Sequence, residues 1–131
     1  MADLSNFNPA DAGEIGSRIV SELEGTAGKW WNQNAPLMEG YVKALAEAAI
    51  QTREALVSKR ISKEQADIII HNQELAFQQT LRFTKYMTLI LAQQLLDAAF
   101  SVVGWAIFNK TGINVMPALV KPVTPGGKPG G

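Results

Sequence analysis

Hydrophobic side chains recur at helical spacing near the N-terminus. The first such set comprises Ile15, Ile19, Val20 and Leu23. Asn8 and Pro9 precede it, and this order suits a helix start, with asparagine as the N-cap and proline at the first helical position. The pattern therefore predicts a short helix over 9–24, preceded by a polar arm over 1–8.

A second helical stripe begins after Pro36. It consists of apolar and small residues: Tyr41, Val42, Leu45, Ala48, Ala49, Thr52, Leu56 and Val57. This stripe predicts a helix over 36–59. The joint before it contains Trp30 and Trp31, which cannot share one helical face because adjacent side chains point about 100° apart. We expect the two rings to close a hydrophobic corner, or one of them to anchor to a partner or a membrane.

The third stretch carries the strongest local signal in the chain. Ser62 with Gln65 three residues later is a capping-box pattern, and no Gly or Pro follows before Gly104. We therefore predict one helix over 62–109, which would be about 70 Å long. A compact domain of this size does not need such a rod. An elongated molecule that completes its packing through other subunits is the expected result.

The predicted fold is all-α. A short N-terminal helix is followed by a helical hairpin whose second member is the long C-terminal helix. The helices form one elongated domain over 9–112, and a Pro/Gly-rich tail over 113–131 is expected to be extended.

The second half of the long helix, residues 86–108, is almost continuously apolar. Its 23 residues could cross a hydrocarbon layer of about 30 Å. Tyr86 and Trp105 lie near its ends, where interfacial aromatics are expected. With the two tryptophans of the joint, they are candidate membrane or partner anchors.

Polar residues interrupt this apolar segment at four-residue spacing, so they share one helix face. They extend a polar side that begins in the first half of the helix, where His71 and Glu74 also lie. The candidate oligomer or pore stripe consists of Gln78, Arg82, Gln93, Asp97 and Ser101. Two interpretations follow: a buried helix in a soluble oligomer, or several copies inserted together with the stripe inside. A lone membrane anchor is disfavoured because Asp97 would lack a partner.

Composition narrows the function further. Twelve basic and twelve acidic residues cancel, which argues against specific nucleic-acid binding and favours association. The chain has no cysteine, so thiolate metal sites and thiol nucleophiles are excluded. The nucleotide-binding, zinc-protease and serine-hydrolase motifs are also missing from the sequence. We therefore expect no enzyme activity, with no catalytic, cofactor-binding or metal-binding residues.

In overall character the chain resembles the small helical virion proteins of tailed bacteriophages. It is similar in particular to the ejection proteins of short-tailed phages, although no specific motif carries the likeness. The resemblance implies a structural protein that homo-oligomerises into a ring or tube, with other virion proteins and a host membrane as partners. Its location would be the virion and then the host envelope. The alternative is a soluble helical-bundle adaptor or scaffold, which would be cytoplasmic.

Overall fold

The computed structural model describes residues 4–84 and 87–115. Within these ranges the chain forms three helices and no strand. They are α1 (Ala12–Val57), α2 (Lys63–Leu81) and α3 (Leu89–Thr111). The predicted all-α class is confirmed, and the tail beyond Val115 lies outside the described residues.

Helix α1 consists of two segments that fold back on each other. Ala27 has φ −155° and ψ 71°, which is outside the helical region. A Cβ placed on Gly16 would lie 3.7 Å from the Cβ of Ala46. On one straight helix these positions would be about 45 Å apart. The first segment (12–26) therefore packs against the second segment (28–57) as an antiparallel neighbour.

The predicted joint between residues 25 and 36 contains this break, but the break occupies much less of the chain. Helical structure resumes directly after Ala27, so the second segment begins eight residues before the predicted start at 36. Pro36 lies inside it. Proline removes the hydrogen bond to the carbonyl four residues earlier. Asn32 and Pro36 are both exposed, so water can satisfy that carbonyl.

The predicted long helix over 62–109 is wrong. Its start is correct, since Ser62 and Gln65 form the expected capping box. However, α2 ends at Leu81, and α3 begins only at Leu89. Threonine side chains support this break, as Thr84 Oγ1 donates to the Leu81 carbonyl and Thr88 Oγ1 accepts from the Leu91 amide. The turn lets α3 fold back and bury apolar surface that a straight rod would leave exposed.

The four helical segments run alternately up and down, and α3 packs mainly on α1. Every residue of α3 from 102 to 107 is buried, so neighbours surround this part of the helix on all sides. Phe77 of α2 meets Phe100 of α3 edge to face, with ring centroids 5.9 Å apart. The second half of α3 thus provides the centre of the chain's own bundle.

The N-terminal residues cover one end of the bundle. Asn109 Nδ2 donates to the carbonyls of Leu4 and Phe7 at 3.0 and 2.7 Å. The buried Arg53 donates from Nη1 to the Pro9 carbonyl at 2.7 Å. Asp11 caps α1 by accepting from the Glu14 amide, so the helix begins three residues later than predicted. We call this end, where residues 4–9 meet Arg53 and Asn109, the closed end.

Candidate interaction surfaces

Two polar residues of α3 bond to each other along the helix. Gln93 Nε2 donates to Asp97 Oδ1 at 2.8 Å. Both side chains and Ser101 are partly buried, and their four-residue spacing places them on one face of α3. These three candidates thus share one face of α3, and their role as an oligomer or pore stripe stays a prediction.

The other two stripe candidates belong to a different helix. Gln78 is partly buried on α2, and Arg82 is the exposed C-cap residue of that helix. The turn before Leu89 separates them from the polar face of α3. The predicted continuous polar surface along one rod is therefore wrong, because the rod is two helices.

The candidate aromatic anchors lie largely inside the fold. Trp30, Trp31 and Trp105 are all buried. The Trp30 Nε1–H donates to Thr84 Oγ1 at 3.0 Å, which fixes the α2–α3 turn to α1. The ring of Trp105 meets Phe108 edge to face at 5.9 Å between centroids. Tyr86 lies outside the described residues, and the anchoring role of all four stays a prediction.

Glu74 occupies a core position that the sequence interpretation placed on the polar side of the helix. Its side chain is fully buried, and its Oε1 lies 2.9 Å from Nδ1 of the half-exposed His71. The buried residues of α2 are spaced at three or four positions: Ala66, Ile70, Glu74, Phe77 and Leu81. That spacing was the available signal, since residue 74 stands at a position of the helical period where a hydrophobic residue is expected.

Two groups of large apolar side chains are exposed, one on α2 and one beside the α2–α3 turn. We call Ile68 and Leu75, seven residues apart on the outer side of α2, the lateral surface. We call Phe83, Leu89 and Ile90, which flank the α2–α3 turn, the turn surface. All five side chains are exposed to solvent. The sequence interpretation missed the turn surface because it assigned these residues to an unbroken helix; Thr84 and Thr88 were the available signals for the break.

Two further properties concern the described part of the chain. Among the described residues, α3 is the single helix long and apolar enough to cross a membrane, but 56% of its most apolar stretch is buried inside the protein. Within residues 4–84 and 87–115, His, Asp and Glu side chains form no group of three that could hold a metal ion. A long apolar helix that is mostly buried is also typical of the core of a soluble protein.

Comparison with known proteins gives no match: no family model fits the chain, and no curated protein or solved structure is significantly similar to it. The fold and the two surfaces therefore carry the functional proposals.

Proposed function

We propose that the protein is a non-enzymatic helical bundle that acts by association, as a structural subunit or an adaptor. The observation that carries this proposal is the position of α3. Between Leu95 and Ile107, the most apolar helix described packs within the other helices of its own chain. The hydrophobic segment then stabilises the folded chain in water, and the outer faces of α1 and α2 are available to bind partners.

The packing of α3 favours this function over a resident membrane span. Its buried residues include Leu95, Leu96, Ala99 and Phe100, together with the whole run from 102 to 107. Crossing a bilayer would separate these side chains from α1 and α2. It would also carry Asp97 into hydrocarbon, where a charge is costly. A water-soluble bundle keeps the core buried and the Gln93–Asp97 pair partly hydrated.

The lateral surface supports association between copies of the chain. Ile68 and Leu75 are 61% and 44% exposed, and their seven-residue spacing places them on one stripe of α2. Such a stripe can pack against the same stripe of a second copy related by a two-fold axis. The zero net charge of the chain lowers the repulsion that would oppose this contact.

Light scattering coupled to size-exclusion chromatography tests the association. The full chain is expected to elute as an oligomer without detergent. The double variant Ile68→Glu with Leu75→Glu should shift its mass to that of a monomer, because carboxylates would be buried at the contact. Val57→Glu is the matched control, since Val57 is also exposed but lies off this stripe. A monomeric parent chain, or an unchanged mass in the double variant, would refute association through this surface.

A second proposal is the virion or ejection component, in which the bundle opens and several copies of α3 enter a host membrane. The observation that favours it is the membrane-compatible length and hydropathy of α3. Gln93, Asp97 and Ser101 would then face the interior of the oligomer. Protease digestion after incubation with liposomes tests this: a protected fragment spanning α3 supports insertion, and complete digestion opposes it. Mass spectrometry of purified virions tests the location.

A further inference from the structure

The turn surface differs from the rest of the exterior in how strongly it exposes apolar groups. Leu89, Phe83 and Ile90 are 87%, 76% and 75% exposed, which are the highest values among the large hydrophobic residues that the structure describes. Leu89 and Ile90 form the first turn of α3, and Phe83 follows α2 directly. Side chains of this kind contribute nothing to the core in these positions.

The turn surface is held at one end of the bundle. The Trp30–Thr84 hydrogen bond ties the turn to α1 just after the break at Ala27. A shallow groove beside it is lined by residues of the α1 break and by the start of α3: Ala27, Gly28, Lys29, Trp30, Gln33 and Leu91. The three apolar side chains therefore project from a fixed platform, at the end opposite the closed end.

The charges near this surface are mostly positive. Lys29 lines the groove, and Arg82 immediately precedes Phe83; both are exposed. Glu24, one turn before the break, is the nearest acid along α1, and the first acid of α3 is Asp97, which accepts a hydrogen bond from Gln93. A neutral chain thus presents two cations beside its most exposed apolar groups.

The size and charge of the turn surface indicate which kind of partner it binds. A protein interface of ordinary stability needs about 800 Å² from each partner, whereas one large aromatic side chain covers about 150–250 Å². At the end of the bundle these three side chains have no exposed helix face beside them, so they fall short of a stable dimer contact. The lateral surface differs, because Ile68 and Leu75 lie along a 19-residue helix whose other exposed residues add area. Shallow insertion into a lipid interface needs only a small apolar area with cations around it, and anionic lipid strengthens it.

We infer that the turn surface binds the interface of an anionic membrane. Phe83, Leu89 and Ile90 enter the boundary between headgroups and acyl chains, and Lys29 and Arg82 contact lipid phosphates. The bundle stays folded and α3 stays in its core, so this contact differs from insertion of the apolar segment 86–108. It also goes beyond the proposed association, which uses the lateral surface.

Co-sedimentation of the full chain with vesicles tests the inference. Vesicles of phosphatidylcholine containing about 30% phosphatidylglycerol should bind the protein, and vesicles of phosphatidylcholine alone should bind it much less. The double variant Leu89→Gln with Ile90→Gln should lower the partition coefficient at least about tenfold. Lys29→Gln with Arg82→Gln should abolish the preference for anionic vesicles and the salt dependence of binding.

The matched control is Leu37→Gln with Tyr41→Gln, which removes exposed apolar groups from the middle of α1, away from the turn surface and the lateral surface. This variant should bind vesicles like the parent chain. Circular dichroism should show the same helix content for every variant. The inference is overturned if anionic vesicles do not bind the parent, or if Leu89→Gln with Ile90→Gln binds them as well as the control Leu37→Gln with Tyr41→Gln does. It is also overturned if Leu89→Gln with Ile90→Gln reduces the oligomer mass without lipid, since the turn surface would then be a protein interface.

Discussion

The two ends of the bundle differ in how far their apolar side chains are buried. At the closed end, Leu4 and Pro9 are buried, and Asn109 and Arg53 donate hydrogen bonds to backbone carbonyls. At the other end, Leu89 and Ile90 stand in solvent although they belong to the same helix as Asn109. Helix α3 is thus exposed in its first turn and buried from 102 to 107.

Residues that stabilise the fold and residues that are available for binding therefore lie in different parts of one helix. Buried side chains at the finish of α3 contribute transfer and packing energy that a substitution would remove. Exposed side chains at its start have no such energy to lose. Hydrophobic character alone does not distinguish the two groups. The difference predicts that mutations at the two ends of α3 affect different properties of the protein.

The largest expected effect compares two leucines of α3. Leu96 is 1% exposed and Leu89 is 87% exposed. Leu96→Ala should lower the free energy of unfolding by about 2 to 5 kcal/mol, while Leu89→Ala should change it by less than about 0.5 kcal/mol. Urea denaturation followed by circular dichroism measures both. Equal effects of the two variants would contradict the contrast between the exposed start of α3 and its buried positions.

A smaller effect is expected at the closed end from Asn109→Ala. The change removes both hydrogen bonds to the Leu4 and Phe7 carbonyls, and we expect a loss of about 1 to 3 kcal/mol. Limited proteolysis should then cut residues 4–10 faster than in the parent. Asn8→Ala is the control, because Asn8 is exposed. If the two alanine variants are digested at the same rate, Asn109 does not hold the N-terminal residues.

The smallest of these effects concerns the α2–α3 turn. Thr84→Val keeps the shape of the side chain but leaves Trp30 Nε1 without its acceptor, which should destabilise the fold by about 1 kcal/mol. Thr80→Val is the control, since the Thr80 hydroxyl bonds only locally to the Ala76 carbonyl. Thermal unfolding of both variants measures the difference. A Thr84 variant as stable as the Thr80 variant would mean that the bond to Trp30 does not secure the turn.

Sequence patterns were sufficient where local chemistry determines the structure. The capping box at Ser62 is confirmed, and the break in α1 lies inside the glycine-rich joint that was expected to contain one. Gly112 caps α3 with φ 72°, a conformation that glycine adopts without steric penalty. These features depend on a few neighbouring residues, and the sequence displays those residues directly.

The break between α2 and α3 could not be predicted from Gly or Pro, because neither lies near it. It depends on long-range contacts: Thr84 meets Trp30, 54 residues away, and α3 gains a core by returning along α1. The buried Glu74 was missed because its charge was taken as a sign of exposure. In both cases tertiary packing decides the outcome, and it outweighs local propensity.

The central claim is that α2 and α3 form a folded-back pair within one chain. Distance measurement by electron paramagnetic resonance tests it most directly, using spin labels on Glu64→Cys and Lys110→Cys. The chain has no native cysteine, and dilution with unlabelled protein removes distances between copies. Both positions lie toward the closed end, so the fold-back predicts a separation below about 30 Å, given packed helix axes about 8–10 Å apart. A separation of about 70 Å, as in one continuous helix over 62–109, would contradict the account.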